Sequence, residues 1–357
     1  GSTELEPVLP GRVLEVALSG GELIVRRGTD LFAQPFDPVT GTLSGTPTKL
    51  ATNVQAFAAA SGTTVWWAPE DGLAMTHRIA IFSRTGERLA NIGRPASFRD
   101  PRLSRDGMQL AVARADVFGQ FQIWTYDDIG RGVDSVDSPV SPFSFVEPVW
   151  SPDGEWIVAG PVDVARFRVG IEGRAPAVPG NERPNSFTDW SANGVYLLGE
   201  TAGPDAELRA YSAAEQRPPI DVAGGEGAQI DGAFSPDSRW VAFTSMDGDQ
   251  PRVYVTSFPM PGPRLPVAAG RGKFPRWRHD GRELFFEGEM DRIIAVPVRW
   301  LSSGEPSFGM AEELFRIPDL VTGNFPFDVF GDGQRLVAIV EGDADRTPLQ
   351  VRVGGRR

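Results

Sequence analysis

The amino-acid sequence predicts an all-β fold, a single β-propeller of eight four-stranded blades, with seven or six blades as the alternatives. One turn motif recurs along most of the chain at intervals of 40 to 52 residues. Repeats of this length with strand-like content are typical of propeller blades. Each copy is followed by a short run rich in β-branched and aromatic residues. The 41 glycines and 31 prolines among 357 residues favour many short strands joined by turns.

The recurring turn is of the type Ser-Pro-Asp-Gly, and its chemistry favours a tight hairpin. Proline presets the φ angle of the first central position, Asp or Asn tolerates the second, and Gly accepts the left-handed conformation at the exit. Ser238 replaces the glycine in one copy, and Phe330-Gly331 replaces Ser-Pro in the last. The six copies are Ser104–Gly107, Ser151–Gly154, Ser191–Gly194, Ser235–Ser238, Arg278–Gly281 and Phe330–Gly333.

Each turn is expected to join two strands of one blade. An aromatic residue often precedes the turn, as at Trp150 and Trp277, and an apolar run follows it, as at Trp156–Ala159. A third strand is expected some ten residues further along, as at Ile123–Tyr126. Each unit therefore reads as a hairpin followed by further strands of the same blade.

Two weaker copies near the N-terminus bring the count of blades to eight. Gly20-Gly21 leads into Leu23–Val25 and then Leu31–Ala33. Ser61-Gly62 leads into Val65–Trp67 and then Ile79–Phe82. Absorbing the Ser61 copy elsewhere would give seven blades.

Closure of the ring is expected to involve the N-terminal strand. The last repeat reaches its third strand at Leu349–Val353, whereas Leu5–Leu9 precedes the first blade. We therefore expect Leu5–Leu9 to supply the outer strand of the eighth blade, because closure removes open sheet edges. Residues 1–4, which begin Gly1-Ser2 in the manner of a cloning scar, are expected to be a tag or linker, and residues 5–357 a single domain.

The repeat resembles the TolB-type, WD40-like propeller family. The match is closer to the extracytoplasmic propeller region that follows the kinase domain of many bacterial serine/threonine protein kinases. The stretches that carry the resemblance are Leu23–Asp37, Val253–Pro259 and Phe274–Phe286. It implies a sensor or interaction module outside the cytoplasm, with no cofactor and no catalytic residues in the repeat; an envelope interaction platform of TolB type is an alternative.

Charge and composition exclude several classes of partner. The net charge is −12 and the pI about 4.8, whereas nucleic-acid binding needs a basic surface for phosphate contacts. No apolar run approaches the roughly 20 residues that span a bilayer, so direct membrane insertion is not expected. The chain has no cysteine, which excludes thiolate metal sites and disulfides. We expect a monomer.

Motifs for catalysis are missing from the sequence. Only two histidines occur, His77 and His279, which excludes centres with several His ligands. No Gly-x-Ser-x-Gly elbow and no kinase motif is present. Abundant carboxylates leave a carboxylate- or metal-dependent lyase or hydrolase as the alternative to a binding module.

Charged residues at the start of the inner strands form the candidate ligand site. Strand side chains alternate, so the positions two and four before each turn share one face, which lines the channel in a propeller. The charged residues at these positions are Asp100, Arg102, Glu147, Asp189, Asp231, Arg276 and Asp328. We expect them to gather at one channel mouth as a mainly acidic ring that binds a small cationic or peptide ligand. The loop around Arg299–Phe308 is a second candidate contact for a protein partner.

Overall fold

The computed structural model describes most of the chain between residues 15 and 353. The described residues are 15–27, 30–52, 54, 56–60, 63–67, 77–115, 119–127, 145–161, 165–168, 174–176, 184–246, 248, 250–268, 270–321, 325–342 and 350–353.

The described residues form antiparallel sheets of short strands, with a single 3-10 turn at Glu289–Asp291. The strands are β1 (Glu15–Ser19), β2 (Glu22–Arg27), β3 (Asp30–Asp37), β4 (Thr42–Leu43), β5 (Thr48–Ala51), β6 (Ala56–Ala60), β7 (Thr63–Trp67), β8 (His77–Ser83), β9 (Arg88–Ala96), β10 (Phe98–Leu103), β11 (Gln109–Ala115), β12 (Phe121–Asp127), β13 (Phe145–Trp150), β14 (Trp156–Pro161), β15 (Ala165–Arg168), β16 (Arg174–Pro176), β17 (Ser186–Trp190), β18 (Tyr196–Glu200), β19 (Leu208–Ser212), β20 (Ile220–Ala223), β21 (Gln229–Phe234), β22 (Trp240–Ser245), β23 (Arg252–Ser257), β24 (Leu265–Pro266), β25 (Lys273–Trp277), β26 (Glu283–Glu287), β27 (Arg292–Trp300), β28 (Pro306–Phe308), β29 (Glu312–Arg316), β30 (Phe327–Val329), β31 (Arg335–Glu341) and β32 (Gln350–Val353).

The predicted turns join the first and second strands of six sheets, as expected. In the first of them, Gly107 N–H donates to the Ser104 carbonyl over 2.8 Å, and Met108 N–H donates to Asp106 Oδ1 over 2.9 Å. The Ser104 hydroxyl accepts from Gln109 N–H over 2.9 Å. The turn glycines at 107, 154, 194, 281 and 333 have φ between 68° and 75°. Turn geometry therefore accounts for the Asp and Ser residues of the motif.

Six sheets are arranged around a central channel. Their first strands are β10, β13, β17, β21, β25 and β30, and among the described residues these contact one another in a closed cycle. A closed cycle of inner strands, each beginning an antiparallel sheet, is the arrangement of a β-propeller. The buried core lies between neighbouring sheets: Ala111 and Ile123 of one pack against Trp150 and Ile157 of the next.

The last sheet of this cycle combines two strands near the N-terminus with two strands near the C-terminus. Its order is β30-β31-β8-β9, and β8 pairs with β31 from His77–Glu341 to Ser83–Arg335. The expected closure by Leu5–Leu9 lies outside the described residues.

The two N-terminal sheets give no inner strand to the cycle among the described residues. The two runs assigned to the Ser61 copy, Val65–Trp67 and Ile79–Phe82, lie in different sheets: β7 pairs with β6 and β32, whereas β8 pairs with β31 and β9. The cycle of inner strands therefore has six members among the residues that the structure describes.

Candidate binding site in the central channel

The inner strands share a bulge at the position four residues before the turn. Asp100, Glu147, Asp231 and Phe274 adopt left-handed φ angles of 53°, 56°, 60° and 56°, where the pairing register of each strand shifts. This conformation is unfavourable for residues with a Cβ atom, so the surrounding structure has to stabilise it.

Side chains of the preceding sheet bind the backbone of these bulges. Glu147 N–H donates to Asp100 Oδ2 over 3.1 Å. Asp231 N–H donates to Glu200 Oε1 over 2.7 Å, and Phe274 N–H donates to Thr244 Oγ1 over 3.3 Å. The acids at this level therefore connect neighbouring blades.

Burial makes these carboxyl groups weak acids. Burial and the neighbouring Glu147 carboxyl raise the pKa of Asp100 to about 8. Burial and Asp231 raise the pKa of Glu200 to about 8, and burial also raises the pKa of Asp231. Since a low dielectric disfavours the charged form, this part of the channel is far less negative than the sequence suggests.

A second level of charged residues lies nearer the turns, around a cavity of about 130 Å³. Arg102, Asp189, Arg276 and Asp328, each two residues before its turn, line the cavity together with Thr188. The cavity also contacts the turn residues Ser151–Pro152 and Ser235–Pro236, so it lies at the turn-side end of the channel.

The two aspartates of this level are held by backbone amides. Asp189 accepts from Trp190 N–H at 2.8 Å and from Phe234 N–H at 2.6 Å. Asp328 accepts from Val329 N–H and Leu103 N–H, both at 2.9 Å. Each carboxylate thus bonds its own strand and the inner strand of a neighbouring sheet. Such hydrogen bonds stabilise the carboxylate as an acceptor.

The guanidinium groups of both arginines contact the aromatic ring of Phe325. The guanidinium carbons of Arg102 and Arg276 lie 4.2 Å and 4.7 Å from the ring centroid. Arg102 Nη2 donates to the Thr188 carbonyl over 2.8 Å, and Arg276 Nη1 donates to the Pro275 carbonyl over 2.8 Å. Burial and the nearby Arg102 lower the pKa of Arg276 to about 9.

The seven predicted site residues therefore separate into two levels. Arg102, Asp189, Arg276 and Asp328 come together around the cavity, whereas Asp100, Glu147 and Asp231 are buried at the bulges. The expectation of one charged ring is wrong in this respect, because the bulge turns the fourth position into the contact between blades.

Sequence reasoning missed Phe325, Thr188 and Glu200. Phe325 stands five residues before its turn, outside the register that identified the other candidates, and has a φ of 53°. Thr188 lies at the register shift of β17. Glu200 ends a second strand, so no pattern on the inner strands could have found it.

The two histidines lie in different surroundings, one buried and one exposed. His77 is buried, and its Nδ1 accepts from Phe98 N–H over 3.2 Å; burial lowers its pKa. His279 is exposed beside the cavity.

The Arg299–Phe308 loop is the β27–β28 hairpin. Its Trp300 ring stacks on that of Trp277, with 6.1 Å between the ring centroids, and the Trp300 indole N–H donates to the Gly281 carbonyl.

Within the residues that the structure describes, no three His, Asp or Glu side chains are grouped as metal ligands would be. No helix among them has the length and apolar character to span a membrane.

Comparisons with known proteins give the fold. No family model and no curated protein matches the sequence. A solved structure from Agrobacterium tumefaciens, described under the name TolB, is 16% identical with a TM-score of 0.60, over 76% of this chain and all of its own. TolB from Acinetobacter baumannii is 10% identical with a TM-score of 0.47, over 92% of this chain and 79% of its own. A protein of unknown function from Desulfotomaculum acetoxidans is 14% identical with a TM-score of 0.45, over 70% and 76%. The fold of this chain is that of a TolB-like β-propeller.

Proposed function

We propose that this chain is a recognition module, which binds a protein segment or a small ligand at the turn-side end of its central channel. The observation that carries the proposal is the charged cavity, to which four separate inner strands contribute Arg102, Asp189, Arg276 and Asp328. Convergent polar groups in a concave site are typical of ligand binding.

Binding is proposed in preference to catalysis. The buried acids Asp100 and Glu200 accept hydrogen bonds from the backbone of the next blade, and the cavity aspartates do the same. A general acid or base needs to reach a substrate proton, whereas these oxygens already contact structural amides. The lyase or hydrolase alternative has no observation of its own in support.

For the architecture, we propose a ring of six blades rather than eight. The contact cycle of the six inner strands supports this count, as does the sheet that β30 and β31 share with β8 and β9. The sheets of β1–β5 and of β6, β7 and β32 would then be additions to the ring.

The cellular setting is proposed from the resemblance of the repeat. We propose a monomeric sensor or interaction module of a bacterial signalling protein, exposed outside the cytoplasm. A fusion of the chain's native gene to a periplasmic reporter enzyme would test the location, since such reporters are active only after export. Light scattering of the purified chain would test the monomer.

A displayed library of random peptides would test the recognition proposal. Peptides that bind the purified chain should lose at least tenfold in affinity with Arg276→Gln, because this side chain lines the cavity. The matched control is Arg282→Gln, whose side chain is 77% exposed. Peptides that bind both variants equally would place the binding surface elsewhere, as in an envelope platform. A library that yields no binder would count against protein recognition.

A further inference from the structure

The buried arginines keep polar groups without hydrogen-bond partners. Arg102 and Arg276 are only 7% and 5% exposed. Among the described residues, Arg102 Nε, Arg276 Nε and Arg276 Nη2 have no hydrogen-bond partner. The Arg276 Nε atom lies 3.7 Å from Asp328 Oδ1, an ion pair without a hydrogen bond. Leaving a charged donor buried without an acceptor is costly, so these groups point to a ligand.

The aspartates beside the arginines are less available as hydrogen-bond acceptors for a ligand than their charge suggests. Both oxygens of Asp189 and both of Asp328 accept backbone N–H groups. The arginine side chains each donate one hydrogen bond to a carbonyl and retain further N–H groups. The cavity therefore offers donors to a ligand and few acceptors, which reverses the cation preference that the sequence predicts.

We propose that the cavity binds a carboxylate group, held by the guanidinium groups of Arg102 and Arg276; this rests on the proposed recognition function. A guanidinium presents donors in a fixed fork that matches the two oxygens of a carboxylate. Thr188 lines the same cavity, and its Oγ1 is buried without a hydrogen-bond partner among the described residues.

The size and charge of the cavity favour a single carboxylate. Its volume of about 130 Å³ has room for several water molecules, or for a carboxylate with a few attached atoms. The nearby Asp189 and Asp328 carboxylates would repel a doubly charged anion more strongly than a singly charged one. A peptide C-terminus and a small organic acid both satisfy these conditions.

Two probes that differ only in charge test the inference. N-acetylalanine carries a carboxylate, and N-acetylalaninamide replaces it with a neutral amide of the same shape. We expect the acid to bind at least tenfold more tightly, measured by titration of the arginine Nε–H signals in NMR spectra. Propionate tests for a free acid without a peptide group: equal affinity for propionate would indicate an organic acid, and weaker affinity a peptide terminus.

Variants of the cavity identify the residues. Arg276→Gln should reduce the affinity for N-acetylalanine at least tenfold, and the exposed control Arg282→Gln should leave it unchanged. If Arg276→Gln does not fold, as judged by circular dichroism, Arg276→Lys keeps the charge without the fork and should still weaken binding. The acid–amide comparison on the unmodified chain decides the question even if neither variant folds.

Several outcomes would overturn the inference. These are equal binding of acid and amide, preferential binding of the cation alaninamide, no binding of either carboxylate, or affinity that survives both Arg276 variants. Failure of the recognition proposal is distinguishable from these. Library peptides that bind equally well with amidated C-termini would support recognition and reject the carboxylate. Binding of N-acetylalanine without any library binder would support the carboxylate site and reject a protein partner.

Discussion

Ser238 shows at the scale of one residue how the repeat tolerates a departure from its motif. It occupies the glycine position of its turn with a left-handed φ of 60°, and its buried hydroxyl has no hydrogen-bond partner among the described residues. A residue with a Cβ atom is strained there. The turn nevertheless forms, since Ser238 N–H donates to the Ser235 carbonyl over 2.8 Å.

We expect Ser238→Gly to stabilise the protein by about 0.5–1 kcal/mol, because glycine adopts this conformation without strain. Urea denaturation would measure the change in the free energy of unfolding. The control Ser302→Gly, in an exposed turn without a left-handed φ, should lower stability slightly. A loss of stability in Ser238→Gly equal to that of the control would contradict the prediction.

The raised pKa of Asp100 predicts that the stability of the protein depends on pH. Its pKa is raised to about 8 in the folded chain by burial and by Glu147, whereas an unfolded Asp titrates near 3.9. The folded state therefore binds more protons than the unfolded state between these values. Its stabilising contribution is present at low pH and is lost as pH rises from about 4 to about 8.

We expect Asp100→Asn to flatten the fall in melting temperature across this pH window, because the amide cannot ionise. Thermal unfolding followed by circular dichroism at several pH values would measure it. The control is Asp205→Asn, which removes an exposed carboxylate. If both variants keep the pH dependence of the unmodified chain, Asp100 is not buried as a neutral acid.

At the scale of the secondary-structure element, side chains near the turns join neighbouring inner strands. Asp328 of β30 accepts from Leu103 N–H of β10, and Asp189 of β17 accepts from Phe234 N–H of β21. The indole N–H of Trp277 donates to the Ala233 carbonyl over 3.2 Å, and that of Trp150 donates to the Arg102 carbonyl over 3.0 Å. The aromatic residue before the turn thus has a role beyond packing.

We expect Asp328→Ala to lower the free energy of unfolding by about 2–4 kcal/mol, because two buried amides lose their acceptor. Asp328→Asn should lower the free energy of unfolding by less, since the side chain keeps one oxygen that can accept a hydrogen bond. The comparison is with Asp205→Ala, which removes an exposed carboxylate of the same size. Equal urea midpoints for Asp328→Ala and Asp205→Ala would show that the bonds between blades contribute little.

At the scale of the whole molecule, pairing of β8 with β31 joins residues distant in sequence. The register places Ser83 opposite Arg335. The chain has no cysteine, so a pair of introduced cysteines can form only one intramolecular disulfide. This pairing is the contact on which the proposed closure of the ring depends.

We expect the double variant Ser83→Cys, Arg335→Cys to form a disulfide and to gain roughly 2–4 kcal/mol in stability when oxidised, because the bond constrains a long loop of the unfolded chain. The melting temperature of the oxidised protein, compared with the same protein after reduction, measures the gain. Either cysteine alone is the control. Failure of the disulfide to form would argue against closure through β8 and β31.

Much of the fold follows from local chemistry. The turns that begin at Ser104, Ser151 and Ser191 contain the residues that their φ angles and hydrogen bonds require, so the hairpins were predictable. The weak copy at Ser61-Gly62 could not be placed from the sequence, because a turn signal followed by two apolar runs does not reveal which strands those runs pair with. β7 and β8 each pair with a strand from the far end of the chain instead.

The candidate site was also predictable only in part from the sequence. Alternation along the inner strands identified Arg102, Asp189, Arg276 and Asp328 as channel residues, because strand geometry is periodic. The hydrogen-bond partners and ring contacts of these side chains could not be predicted, since the partner groups lie in other parts of the chain. The Phe325 ring contacts both guanidinium groups, and backbone amides of other strands bind Asp189 and Asp328. These contacts form only when the chain folds.

The sequence by itself determined the strand–turn–strand repeat, because each repeat depends on contacts within a few positions of the chain. The tertiary structure decided which strands pair across the chain and which of the predicted charged residues line the cavity. Both depend on burial and on hydrogen bonds between residues far apart in sequence, as between Leu103 and Asp328. The cavity therefore presents arginine donors where alternation along the inner strands predicted a mainly acidic ring.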